Sequence, residues 1–408
     1  MRLFLSVYRT SARTILTIVV LTIIMALASP ANAQYSVLYS FTGKADGGNP
    51  WAPLIQNSQG DLLGTASTGG NKGSGYGVFF KLKSNGTETI LHTFGLTDGQ
   101  RPIGQVVRDA AGTFYGVTYL GGTYFSGTIY KMDGAGNLTT LFNLHNYIGK
   151  FPVGGITIDS NGNLYGTTPA GGGNEQNSPG GDVFELSNAG VFTVLHTFTE
   201  STTDGFGAYS NLVRDSLGNL YGTAYLGGNY HCAGGCGVVF RVSAGGVEKV
   251  LKRFTGKPND GDSPVGGLIR DHAGNFYGTT RFGGTADLGT VFKMDSTGKE
   301  TVLYSFQGGS DGASPEYSNL VMDAAGNLYG TTAEGGGGDC TALGYSGCGT
   351  VFKLDTSGVE TVLHSFAGEP TDGAIPYAGL TLGSDGNLYG TTYNGGTANA
   401  GTVFKIVP

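Results

Sequence analysis

The sequence predicts an all-β fold, a seven-bladed β-propeller of four-stranded antiparallel blades, and three observations predict it. First, one unit recurs seven times: the glycine of its Leu-Tyr-Gly-Thr-Thr signature falls at Gly64, Gly116, Gly166, Gly222, Gly278, Gly330 and Gly390, in steps of 52, 50, 56, 56, 52 and 60 residues. A period of that length marks a solenoid, a propeller or an array. Second, each unit reads as four short β-segments, with no helical periodicity after the leader. Third, the chain opens on a lone copy of the fourth segment, Val37-Leu38-Tyr39-Ser40-Phe41, and closes after the third segment of the last unit. The N-terminal strand is therefore expected to complete the C-terminal blade, closing a ring and hiding both sheet edges. A linear solenoid would need capping repeats instead.

The first 33 residues read as an address. Arg2, Arg9 and Arg13 precede the apolar run Ile15 to Leu27, and Ala31-Asn32-Ala33 stands before Gln34. A positive n-region, a short apolar region and an A-x-A site describe a signal peptide, and the run is short for a membrane span. Residues 34–408 are expected to form a single propeller domain, exported to the periplasm or the medium, with no membrane insertion after cleavage.

Within a unit, strand a surrounds Leu54, Val106, Ile156, Leu212, Leu268, Leu320 or Leu380, and strand b carries the signature. Strand c is Val-Phe-Lys-Leu and strand d is Val-Leu-His-Ser-Phe in the most legible copy, both rich in residues that suit a pleated, half-buried surface. The strand a apolar residue precedes the strand b glycine by 10 positions in every unit, and the strand c charged residue precedes the strand d leucine by 10 in every complete one. The a–b and c–d connections are thus fixed hairpins. The distance from strand b to strand c instead runs 17, 15, 19, 19, 15, 23 and 15. In an up-and-down blade the b–c and d–a loops share one face, so that face varies, and binding concentrates on variable loops of a rigid scaffold. Two places before the strand a apolar residue stand Ala52, Gly104, Gly154, Ser210, Gly266, Ser318 and Ala378, small as strands crowding a channel require.

The chain is glycine-rich, with 75 Gly, yet its 22 Phe and 22 Tyr supply a large core. Without the leader arginines the formal charge is about −10, which argues against nucleic acid or anionic lipid as partners. The chain is expected to be a monomer.

Leu-Tyr-Gly-Thr-Thr, Gly-Gly, Gly-Thr-Val-Phe-Lys-Leu and Val-Leu-His-Ser-Phe together resemble the repeat of the GloVer family, the choice-of-anchor tandem-repeat proteins of bacteria. The layout is also similar to NHL repeats, where a Gly-Asn turn separates the first two strands of a blade. The resemblance implies a secreted propeller and carries no catalytic residues.

Candidate chemistry is sparse. Asp46, Asp98, Asp204, Asp260, Asp311 and Asp372 each precede glycine in the d–a loop. They read as turn caps, or as a ring of carboxylates at the channel mouth. Asp109, Asp159, Asp215, Asp271 and Asp323 open the a–b turns, and one carboxylate per turn falls short of the oxygens calcium wants. His92, His196 and His364 share one strand d site with Tyr39, Phe142, Lys252 and Tyr304, which reads as structural. No zinc-ligand spacing is present, so no metal and no cofactor is expected. Four cysteines form two local pairs, Cys232 with Cys236 and Cys340 with Cys348, each inside a long b–c loop and read as a disulfide that shapes it.

The remaining candidates stand apart from the repeat. Tyr119, Tyr225, Arg281 and Tyr393 follow strand b and read as ligand-binding residues. Glu316, Glu334 and Asp339 of the sixth unit read as solvated loop acids or, as a weaker alternative, paired carboxylates of a glycan hydrolase or lyase. The expected function is non-catalytic: binding of an extracellular glycan, peptide or protein through the b–c and d–a loops. The alternatives are the enzyme just named and a structural matrix component.

Overall fold

The computed structural model describes residues 33–70, 75–172, 180–199, 204–228 and 231–408, and each repeat forms one four-stranded antiparallel sheet. The signal peptide read in residues 1–33 lies, Ala33 apart, outside the described residues. In blade 1 strands a to d are Ile55–Gln56, Leu62–Ala66, Val78–Leu82 and Glu88–Thr93, hydrogen-bonded in that order. Blades 2 to 6 repeat the pattern. The seventh blade takes its strands a to c from Thr381–Leu382, Leu388–Thr392 and Thr402–Val407 and its strand d from Gln34–Ser40, paired from Gln34 with Val407 to Ser40 with Thr402. The ring closes as the two ends of the repeat pattern require.

The signature glycine exists because an aromatic ring covers it. A Cβ on Gly64, Gly166, Gly222, Gly278, Gly330 or Gly390 would stand 2.4 to 3.1 Å from the strand c phenylalanine of its own blade, and one on Gly116 would stand 2.5 Å from the Tyr130 hydroxyl. In every blade but the third, where Leu144 takes the place, that strand c ring then meets the phenylalanine after strand d of the preceding blade edge-on. Phe41 on Phe80, Phe94 on Tyr130, Phe198 on Phe240, Phe254 on Phe292, Phe306 on Phe352 and Phe366 on Phe404 lie 5.0 to 5.4 Å apart between centroids. Burying each ring contributes roughly 1.5–3 kcal/mol, and each edge-to-face pair roughly 0.5–1.5 kcal/mol more. The core is thus a set of blade interfaces joined into a circle.

The two threonines of the signature have separate tasks. The first reaches across to the next blade: Thr167, Thr223 and Thr331 donate to the carbonyls of Ser210, Gly266 and Ala378 at 2.9, 3.0 and 3.0 Å. Those acceptors are the small residues of strand a, which let neighbouring backbones approach. The second threonine pairs with the first residue of strand c, as in Thr118 with Thr128 at 2.8 Å and Thr280 with Thr290 at 2.7 Å. Where strand b ends in Ala66 or Ala224, strand c begins with Val78 or Val238, so the pair is polar or apolar as a unit. Blade 3 departs from both patterns by setting Asp182 opposite Thr168.

Each strand d carries a bulge at the leucine of Val-Leu-His, shown by the register shift opposite strand c in all seven blades. A bulge re-aims the side chains beside it. The loops are also stitched to one another: Gly205–Phe206 pairs with Leu226–Gly227, Gly261–Asp262 with Phe282–Gly283 and Gly373–Ala374 with Asn394–Gly395. Single bridges join the d–a and b–c loops in blades 1, 2, 3 and 6. The described loops of the variable face are therefore hydrogen-bonded to one another close to the blades. No helix among the described residues is long and apolar enough to cross a membrane.

Candidate functional site

Strand a lines the channel, and the residue three places before its apolar position stands at the mouth on the variable face. There the blades offer Trp51, Ile103, Val153, Tyr209, Val265, Tyr317 and Tyr377. Tyr377 stacks on Trp51 at 4.7 Å, Tyr317 meets Trp51 edge-on at 5.6 Å, and Tyr209 meets Tyr317 at 6.3 Å. Trp51, Tyr209 and Tyr317 are half-buried, and between them they span from blade 1 to blade 4. The mouth thus has an aromatic floor.

Beneath the floor lies a cavity of about 30 Å³, enough for one water. It ends on Gln105, Asn211 and Asn319, two places further along strand a. Asn211 Nδ2 donates to Gln105 Oε1, and Asn319 Nδ2 reaches the same oxygen at 3.4 Å. Gly155 and Gly267 stand at the equivalent place in the intervening blades and give their N–H groups to the Asn211 and Asn319 amides. Three large amides alternating with glycine therefore divide the channel. On the opposite face it opens into a funnel of about 930 Å³ walled by the strand a residues, Ile55, Val107, Ile158 and Leu382 among them.

Tyr393 packs on Trp51 and Tyr377 at 5.2 and 5.4 Å, and Tyr225 packs on Tyr209 at 6.0 Å. Tyr119 packs on Phe151 at 5.2 Å, and together with Tyr225 it lies close enough to Tyr209 to add to the rise that burial imposes on that phenol's pKa. These tyrosines form the wall of the mouth. Arg281 makes an ion pair with Glu316 and lies over the Phe282 ring at 4.7 Å.

Glu316 is a single-residue insertion. The d–a glycine precedes the strand a apolar residue by 7 positions in the other blades, and by 8 from Gly312 to Leu320. The extra residue is turned inward, 6% exposed, with its N–H on the Ser314 carbonyl at 2.7 Å. Burial raises its pKa, the Arg281 charge opposes the rise, and Glu334 adds to it. Glu334 accepts from the Ser314 hydroxyl at 3.2 Å and from the Ser346 N–H at 3.3 Å. Asp339 does not join them: it is exposed, and its partner is Thr341.

Both cysteine pairs are bonded, Cys232 to Cys236 and Cys340 to Cys348. The larger loop reaches the mouth, because its Tyr345 hydroxyl is hydrogen-bonded to that of Tyr377. Trp51, Tyr209, Tyr317 and Tyr377 escaped the reading from sequence. Their signal was in reach, one position from the small residues that define the channel.

The d–a aspartates are not a ring at the channel mouth. They stand at the outer perimeter, each capping the N–H that follows strand d and taking a partner from strand d itself: Tyr39 with Asp46, His92 with Asp98, His196 with Asp204, Lys252 with Asp260, Tyr304 with Asp311 and His364 with Asp372, at 2.6 to 3.3 Å. Blade 2, which lacks the aspartate, has Phe142 there, stacked on Phe192 at 4.4 Å. The a–b aspartates are turn caps: Asp109 accepts from the Thr113 N–H at 2.8 Å and the Tyr115 hydroxyl at 3.1 Å, and these bonds hold its pKa down against the cost of burial.

Residues 24–234 and 231–408 match the model of the Gloeobacter/Verrucomicrobia repeat. No curated protein matches the chain in sequence. Among solved structures, the chain is similar to virginiamycin B lyase from Staphylococcus aureus, with a TM-score of 0.58 at 12% identity over 92% of this chain and 99% of that one. It is also similar to the extracellular domain of a protein described as a hybrid two component system from B. thetaiotaomicron, with a TM-score of 0.57 at 14% identity over 92% of this chain and 41% of that one. At such identities the likeness is one of fold.

Proposed function

The chain belongs to the Gloeobacter/Verrucomicrobia repeat family, and we propose that it is an exported, non-catalytic propeller that binds an extracellular glycan on the aromatic mouth of its channel. The observation that carries this reading is the floor of Trp51, Tyr209, Tyr317 and Tyr377 with Tyr225 and Tyr393 at its wall. Aromatic rings clustered at the mouth, with hydroxyls at their edges, suit the apolar faces and polar rims of sugar rings. The amide plug beneath leaves a platform rather than a deep pocket. Two disulfides support an oxidising compartment, periplasm or medium, and the acidic balance supports a partner other than nucleic acid. The chain acts as a monomer in this reading.

Trp51 is the single tryptophan of the chain, so its fluorescence reports on the floor directly. Titration with a panel of soluble oligosaccharides is expected to shift or quench that emission saturably, and Tyr317→Ala to weaken the response by about 10-fold or more, the worth of one aromatic hot spot. Glycan binding that leaves Trp51 emission unmoved, or that survives Tyr317→Ala, would remove the floor from the site. A second reading, acid–base chemistry on the same ligand, rests on buried Glu316 coupled to Glu334. It predicts product release from a bound glycan and its loss in Glu334→Gln; a ligand recovered intact after prolonged incubation decides for binding alone.

A further inference from the structure

At each blade boundary of the perimeter, the strand d residue after the bulge approaches the opening residue of the next blade's strand d, and at six of the seven, all but that between blades 2 and 3, the d–a aspartate lies close by. Between blades 4 and 5 the Lys252 ammonium fills this place, 2.9 Å from Asp260 and 3.1 Å from Glu300. The fold thus accommodates a positive charge between the two carboxylates. Where tyrosine stands instead, its hydroxyl goes to the aspartate, and burial, with Asp46 or Asp311 beside it, pushes the pKa of Glu88 and Glu360 up to about 7. His92 and His364 face only one carboxylate, at 2.9 and 3.0 Å, because the next strand d brings Leu138 or Tyr35.

One boundary has none of these resolutions. Between blades 3 and 4 a histidine meets both acids: donor atoms of His196, Asp204 and Glu248 all lie within 4.8 Å of one another. The His196–Asp204 contact is 3.3 Å, longer than its two counterparts. Glu248 Oε1 is buried and has no hydrogen-bond partner among the described residues, as is also true of Glu88, Glu300 and Glu360 Oε1 at the same place in other blades; what sets this boundary apart is the histidine that meets both acids. Burial and the neighbouring Asp204 raise the pKa of Glu248, against the opposing effects of His196 and Arg253. The three ligands come from two blades, so spacing along the chain does not reveal them.

We infer that His196, Asp204 and Glu248 form a site for a divalent transition-metal ion of the zinc type, bridging the outer strands of blades 3 and 4. One imidazole and two carboxylates are ligands zinc accepts, and a tetrahedral ion with bonds of 2.0–2.2 Å sets its donors about 3.4 Å apart. Reaching that spacing needs a modest inward rotation of Glu248. Asp204 is already oriented by the Thr199 and Gly205 N–H groups at 3.0 and 2.8 Å, as an outer shell orients a ligand. Three protein ligands leave a fourth position for water. Calcium wants six to eight oxygens, which this place does not supply.

The test is titration of the tag-free, EDTA-treated chain with zinc chloride, followed by calorimetry and by thermal unfolding, with cobalt absorbance as a report on geometry. One ion per chain, a raised melting temperature and tetrahedral cobalt bands are expected. His196→Tyr copies Tyr39 and Tyr304, and Glu248→Leu copies Leu138, so each places a residue the perimeter already uses. Each is expected to weaken zinc by about 100-fold or more, at least the loss that removing an outer-shell partner causes. Absence of saturable zinc binding, or binding that persists in either folded variant, would overturn the assignment.

Discussion

Asp182 offers the sharpest test of how the blades are paired inside. It is fully buried, its Oδ1 accepts from the Thr197 hydroxyl at 2.6 Å, and its Oδ2 has no partner among the described residues. Burial pushes its pKa up from 3.8 to about 6, against the opposing effects of Thr197 and of His196 nearby. A raised carboxyl pKa means that the folded state binds the proton more tightly than the unfolded one. Stability is therefore full below about pH 4, falls as pH rises to about 6 and is level beyond, a loss of about 3 kcal/mol for a two-unit shift. Four other blades show the remedy: Thr128, Thr290, Thr350 and Thr402 stand at the same place, each bonded to the strand b threonine opposite at 2.7 to 2.8 Å. In Asp182→Thr the ionisation penalty disappears, and the lost Thr197 bond costs about 1 kcal/mol. The variant is expected to be about 2 kcal/mol more stable than the parent at pH 7.5 and about 1 kcal/mol less stable at pH 4. For a chain of this length that is roughly 1 °C of melting temperature per kcal/mol, in opposite directions at the two pH values. Urea unfolding and calorimetry at both values read it. A difference of the same sign and size at both would refute the argument, since it would mean that the carboxylate is ionised and hydrated in the fold.

Three further outcomes are expected. Arg281→Met leaves Glu316 buried without its counter-charge and should cost about 3 kcal/mol in urea unfolding, with most of it restored by adding Glu316→Gln; a neutral single variant would show that water reaches Glu316. Phe41→Ala removes the ring that seats the N-terminal strand on Phe80 and should cost about 3–5 kcal/mol, with faster proteolysis at that end; unchanged unfolding would deny the closing blade its place in the cooperative unit. Replacing Cys340 and Cys348 together by serine opens a small loop and should cost about 2–3 kcal/mol, while loosening Tyr345 from Tyr377; an unaltered melting temperature would refute that.

The repeat, the strand order and the closing strand were legible because they are enforced by contacts that recur at fixed spacing: the ring over Gly64 and its six counterparts tolerates no shift in register. The perimeter was less legible. Tyr39, His92, Lys252 and Phe142 look like indifferent variety at one position, until the aspartate opposite is considered with them: a donor stands wherever there is an aspartate, and a phenylalanine where there is none. That rule couples positions 6 to 8 residues apart in the chain and was open to a reader comparing two columns at once. The tyrosines after strand b stood out because they break the repeat. Trp51 and Tyr317 did not, because at that channel position Ile103 and Val265 make an aromatic look like one more core residue. Nor does sequence reveal that a one-residue insertion turns Glu316 inward, since direction depends on the loop that carries it.

The hydrogen-bonding mate of the segment from Gln34 to Ser40 is the strand Thr402–Val407, which is synthesised only after the six other blades. Until that strand emerges, Gln34–Ser40 has no partner to clasp, so the ring of a growing polypeptide stays unlatched. The same dependence makes these two strands one fastening: cutting either of them away releases the other.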